Sequence, residues 1–272
     1  MSPRSYVTAD RVARLERALS ERDRAIIETL DTVRVATTSQ LEQLHFSAES
    51  PLARARQTRK TLRRLTDARV LTQLDRRIGG GKRGSTQAVY ALDAAGQRLA
   101  SVAGPAGGTR LRRPWTPGSA FLAHHLAVSE LFIRINTRAR DGLLDLLAFE
   151  AEPLSWRRFA GLGGARQVLK PDAFVRVGLG DYEDAYFVEV DRATASLTAV
   201  ARKCDTYRAY WRSGREQARF GVFPQVLWLV PDEKRKTALR EVIARQREEV
   251  REIFAVAVFT NGADLIAGKE DA

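Results

Sequence analysis

The sequence predicts an α/β (α+β) chain in two parts: a basic helical part that ends in a short hairpin, then a domain built on a mixed β-sheet. Three observations predict it. Apolar residues recur at helical spacing in the first seventy residues, whereas strand-length apolar runs alternate with helical stretches beyond residue 140. The excess charge is confined to one part. Residues 1–118 carry 22 Lys and Arg against 11 Asp and Glu, and residues 119–272 carry 23 against 22. A segment rich in Gly, Pro and Arg, 103–118, lies between the two and reads as a linker. The expected domains are therefore 1–102 and 119–265.

Composition excludes several classes. With 272 residues and 44% hydrophobic content, the chain can bury a core in each part. Of the formal net charge of +12, nearly all sits in the N-terminal part, as expected of a part that meets a polyanion. The single cysteine, Cys204, forms no intrachain disulfide and no CxxC knuckle. No apolar run approaches the ~20 residues that span a bilayer, and no apolar leader opens the chain. A cytoplasmic protein without a membrane partner is expected.

Each N-terminal element has its own signal. Ile26, Ile27 and Leu30 give helical spacing to 21–30. Thr37-Thr38-Ser39 restarts a short helix with a hydroxyl cap, ending near Phe46. A third helix runs from Ser50-Pro51 to about Ala68, with Pro51 in its first turn. At 100° per residue, Arg56, Arg59, Lys60, Arg63 and Arg64 fall within an arc of roughly 140°, and Ala55, Leu62 and Leu65 fall opposite. Strands at 70–74 and 88–92 flank Gly79–Ser85, whose tip carries Lys82 and Arg83. This is the order of a winged helix-turn-helix, with the basic helix and the wing tip as DNA contacts. The glycine-rich tip is not a Walker loop, because Arg83 stands where Ser or Thr should follow Lys82.

In the C-terminal part, Leu122, Leu126, Leu131 and Ile135 predict a helix over 119–140. Strands are expected near 144–152, 168–176, 185–191, 225–230 and 255–259, and helices over 196–212 and 232–252. Gly161-Leu162-Gly163-Gly164 reads as a hairpin or loop near a site. Glu189 and Asp191 stand at i and i+2 in an apolar strand and so share a face. Asp172, after Lys170-Pro171, precedes another strand. Carboxylates converging from neighbouring strands suit Mg²⁺ or Mn²⁺, with Glu130 as a possible fourth. The competing reading is structural: a salt bridge to Arg192, Arg202 or Lys203, since buried carboxylates need partners. Lys203 and Tyr207 share a helix face at i, i+4, and Lys203 can neutralise developing negative charge. Tyr207, Tyr210 and Trp211 read as packing residues.

Strand, Pro171-Asp172, strand with Glu189, then helix resembles the PD-(D/E)xK nuclease fold. The lysine expected two positions after the glutamate is Asp191. In some fold relatives that lysine has moved to the next helix, and the resemblance then implies that role for Lys203. Three features resemble, more narrowly, the replication-relaxation family of actinobacterial plasmids and mobile elements. They are the winged helix with Gly79–Gly84, the helix containing His124-His125-Leu126-Ala127, and Lys170-Pro171-Asp172 followed by Phe187–Thr194 and Lys203 with Tyr207. The resemblance implies double-stranded DNA as partner, with replication or transfer proteins, and a metal-dependent site of Asp172, Glu189, Asp191 and Lys203. A nuclease or nickase and a catalytically inactive DNA-binding regulator both remain open. A homodimer is expected, because such modules read paired half-sites. Relaxase chemistry of the His-apolar-His kind and zinc hydrolysis are disfavoured: His124 and His125 are adjacent on a helix, and three histidines with one cysteine offer no ligand spacing.

Overall fold

The computed structural model describes residues 7–48, 50–74, 87–103, 118–161 and 164–269. It is a mixed α/β chain of two compact units, residues 1–133 and 134–272. The division falls inside a long helix, whereas the linker expected at 103–118 lies almost wholly outside the described residues.

The first unit contains α1 (Ala9–Ala18), α2 (Glu21–Val33), β1 (Ala36–Thr37), α3 (Thr38–His45), α4 (Pro51–Asp67), β2 (Leu71–Gln73), β3 (Val89–Leu92), α5 (Ala94–Ala103) and the start of α6 (Ser119–Arg140). Helix starts are set by reciprocal caps that satisfy otherwise orphaned N–H groups. Ser20 exchanges bonds with Asp23, and Thr37 with Gln40. Leu62 and Leu65 of α4 are fully buried with Ile26, Leu30 and Leu41, so the apolar side of α4 faces the core. The three strands form an antiparallel sheet, β1-β3-β2, with Tyr90 paired to Ala36 on one side and Gln73 on the other. Leu122 and Leu126 of α6 join Val35, Leu74 and Val89 in a second small core. The α6 start therefore belongs to this unit rather than to the domain expected from 119 onward. Gly96 lets α5 approach the Val70 carbonyl, where a Cβ would collide.

The second unit follows the end of α6 with β4 (Asp145–Ala151), β5 (Arg157–Ala160), β6 (Arg166–Leu169), β7 (Ala173–Leu179), β8 (Tyr182–Val190), α7 (Leu197–Arg212), α8 (Arg215–Phe220), β9 (Gln225–Val230), α9 (Glu233–Ala244), α10 (Glu248–Arg251), β10 (Phe254–Val258) and α11 (Gly262–Ile266). Five strands form a mixed sheet in the order β10-β9-β8-β7-β4, parallel across β10, β9 and β8 and antiparallel across β8, β7 and β4. One face packs on α7 and α9: Phe187, Val226, Trp228 and Val230 share a core with Val200, Cys204, Tyr207, Leu239 and Ile243. Within this unit, Arg138 near the end of α6 binds both carboxylate oxygens of Asp264 on α11 at 2.8 and 2.9 Å. Among the described residues, no helix is long and apolar enough to cross a membrane.

Two expectations need correction. The strand expected at 168–176 is two strands, because Pro171 has no N–H with which to continue a ladder. β6 pairs with β5 as a separate hairpin, and β7 enters the main sheet. The helix expected at 232–252 is likewise two, interrupted by an extended Arg247.

Candidate functional site

The sheet register brings Asp172 beside the end of β8. Its backbone N–H donates to Val188 O at 3.1 Å, and its Oδ2 accepts from Val190 N–H at 2.7 Å. Glu189 projects from β8 on the same side as Phe187, toward α7, and only 2% of it is exposed. Two side chains one turn apart on α7 meet it. Lys203 Nζ donates to Oε2, and Tyr207 OH donates to Oε1 at 2.6 Å.

Electrostatics follow from this burial. Desolvation pushes the Glu189 carboxyl up to about 8; Lys203 opposes the shift, and the Asp172 charge adds to it. Burial acts to lower Lys203, but Glu189, Asp172 and Glu152 outweigh it and its ammonium is held above the ordinary lysine value. Burial and Glu189 together raise Tyr207 well above the usual phenol, and the Cys204 thiol to about 12. Lys203 is the member that reaches solvent, with 31% of its side chain exposed.

Asp191 does not join them. Its Oδ2 accepts from Arg235 Nε and Nη2 at 3.0 and 2.7 Å, and its Oδ1 accepts from Ala193 N–H at 2.5 Å. Arg235 also donates to Ala195 O at 2.7 Å, so Asp191 ties the turn before α7 to α9. The structural reading of these acids is thus half right: Glu189 pairs with Lys203, but Asp191 pairs with Arg235, which that reading did not include. Glu130 lies in the first unit, where Gln40 Nε2 donates to it at 3.2 Å. Among the described residues, no three His, Cys, Asp or Glu side chains are grouped as a metal ion would require. The three-carboxylate set expected to hold Mg²⁺ or Mn²⁺ does not fit this arrangement: Arg235 occupies one acid, and the other two already face an internal ammonium.

In the first unit, Arg56, Arg59, Lys60, Arg63 and Arg64 are exposed and line one shallow concavity with Asp67. Arg64 differs from the others. Its Nη2 donates to Asp23 Oδ1 at 2.6 Å, and Asp23 is 1% exposed, so this guanidinium belongs partly to the fold. Arg56, Arg59, Lys60 and Arg63 have no ion-pair partner among the described residues. Lys82 and Arg83 lie outside the described residues.

Two participants escaped the sequence reading. Tyr207 bonds Glu189 rather than only packing; its i, i+4 spacing from Lys203 was the available signal. Arg235 gave none, being 44 residues from Asp191.

No curated protein and no solved structure matches the chain. The family model described as Replication-relaxation matches residues 27–226, and the chain belongs to that family.

Proposed function

We propose that this is a DNA-binding protein acting in the replication or relaxation of plasmid or other mobile-element DNA. The observation that carries the reading is the free cationic face of α4, set opposite the buried Leu62 and Leu65. The order helix, strand, helix, helix, strand, strand over 21–92, with a three-stranded antiparallel sheet, supports a winged helix-turn-helix that presents α4 to the duplex. Four unpaired cations on one helix face are a phosphate-binding surface first; base contacts would come from the same side chains in the major groove. Its test is fluorescence anisotropy of a labelled duplex across a salt series. Replacing Arg59, Lys60 and Arg63 by alanine should weaken binding and flatten the slope of log affinity against log salt by about 3. Unchanged affinity and slope would remove α4 from the interface.

A second reading, phosphodiester cleavage by the second unit, is favoured by one further observation. Strands β4, β7, β8 and β9 are adjacent in that order, with α7 in the chain connection from β8 to β9, and Asp172, Glu189 and Lys203 gather there. This supports a PD-(D/E)xK nuclease-like domain with its lysine moved to α7. A phosphate approaching from solvent would meet the Lys203 ammonium before the buried Glu189. Incubating supercoiled plasmid with Mg²⁺, Mn²⁺ or chelator, beside Glu189→Gln, separates the readings. Metal-dependent nicking that the substitution abolishes identifies a nuclease; binding without nicking identifies a DNA-binding regulator on a nuclease-like scaffold.

A further inference from the structure

The β5–β6 hairpin hangs from the main sheet between β4 and β7, and its two faces differ in kind. The inward face is fixed. Phe159 and Leu169 are buried in the α7 core, and Arg157 is nearly so. Arg157 donates to Glu216 at 3.1 Å and to Glu150 at 3.0 Å, and its guanidinium lies 4.8 Å from the Phe174 ring centroid. The strand register then decides what faces outward: Arg158 pairs with Val168, and Ala160 with Arg166. All four are exposed. Lys170, just past β6, stands 4.6 Å from the ring centroid of Trp156, just before β5.

No Asp or Glu occurs between residues 153 and 171, although the C-terminal part as a whole is almost balanced in charge. The Arg158 and Arg166 side chains have no ion pair among the described residues. Two residues beyond Lys170 the chain reaches Asp172, beside Glu189. A hairpin anchored by its inward side chains therefore offers three cations on or beside one face, and its second strand leads through Lys170 to Asp172.

We propose that this outward face is a second DNA contact, gripping the sugar–phosphate backbone through Arg158, Arg166 and Lys170 next to the Asp172–Glu189–Lys203 site. The proposal rests on the DNA-binding reading above and adds a contact from the other unit. Charge complementarity selects the occupant, because an anionic backbone supplies the partners these guanidiniums lack.

The test is the same anisotropy series with the full chain and a mixed-sequence 20-base-pair duplex. The double variant Arg158→Ala/Arg166→Ala should weaken binding about tenfold at 0.1 M salt and lower the slope by about 2. Arg158→Lys/Arg166→Lys should restore most of the slope. A control, Arg240→Ala/Arg245→Ala, removes the same charge from an exposed part of the same unit and should change the slope far less. Since all four arginines are exposed, unchanged melting temperatures are expected throughout. If the hairpin variant binds like the parent, or the control loses as much, the hairpin contact is overturned while DNA binding stands. If the parent binds no duplex, the DNA-binding reading falls and takes the hairpin contact with it.

Discussion

Arg235 on α9 grips Asp191 at the end of β8 through two nitrogens, at 3.0 and 2.7 Å, while only 14% and 2% of their side chains are exposed. This pair joins the strand that carries Glu189 to the second helix of the covering layer, so it shapes the site without entering it.

Breaking it should be costly. Arg235→Ala leaves a buried carboxylate with one backbone donor, and a loss of about 3 kcal/mol is expected in urea unfolding. Asp191→Asn, which cannot bear a charge, should cost less. A loss below about 1 kcal/mol in Arg235→Ala would show that the pair is structurally idle.

Glu189 makes stability depend on pH in a direction unusual for a carboxylate. Its folded value, pushed up to about 8 by burial, lies above the ordinary 4.5, so the folded chain binds the proton more tightly. The resulting stabilisation is complete below about 4.5 and is lost as pH rises through about 8. Glu189→Gln cannot ionise and should therefore show a flatter decline in stability between pH 5 and about 8.5. Parallel profiles for the two proteins would mean that Glu189 titrates normally.

Tyr207→Phe removes one oxygen and leaves Glu189 Oε1 without its donor at 2.6 Å. Stability should fall by about 1–3 kcal/mol, the cost of a buried acceptor left unpaired. The pH midpoint attributed to Glu189 should rise further, because the phenol bond favours the charged form. An unchanged midpoint would show that Tyr207 only fills space.

Arg64 separates folding from binding on α4. Arg64→Ala strips the buried Asp23 of its ion pair and should cost about 1–2 kcal/mol, moderated because half of the arginine side chain is in solvent. Arg59→Ala, with no such partner, should leave the melting temperature unchanged while weakening duplex binding. Equal melting temperatures for the two variants would mean that the Asp23 contact adds no stability.

Local physics made much of this protein readable from its residues. Pro51 and the amphipathic pattern that follows it define α4, and the hydroxyl cap places the start of α3. Alternation put Glu189 and Asp191 on one face, and both do turn toward the helices covering the sheet. The hairpin of β5 and β6 was harder. Its strands are four residues each, and the expected strand ran straight through Pro171, although a missing N–H argues for a break there.

By itself, the sequence determined the helical basic unit, the mixed α/β character of the rest, and the residue types at the site, because caps, periodicity and charge act over a few residues. Only the tertiary structure decided which acid meets which cation. Glu189 was given to Lys203 and Tyr207, Asp191 to Arg235, Asp23 to Arg64, and Arg157 to Glu216. Those choices depend on how helices distant in sequence pack on one sheet or against one another, and burial makes each pairing obligatory, since a charge removed from water must find its partner in the fold.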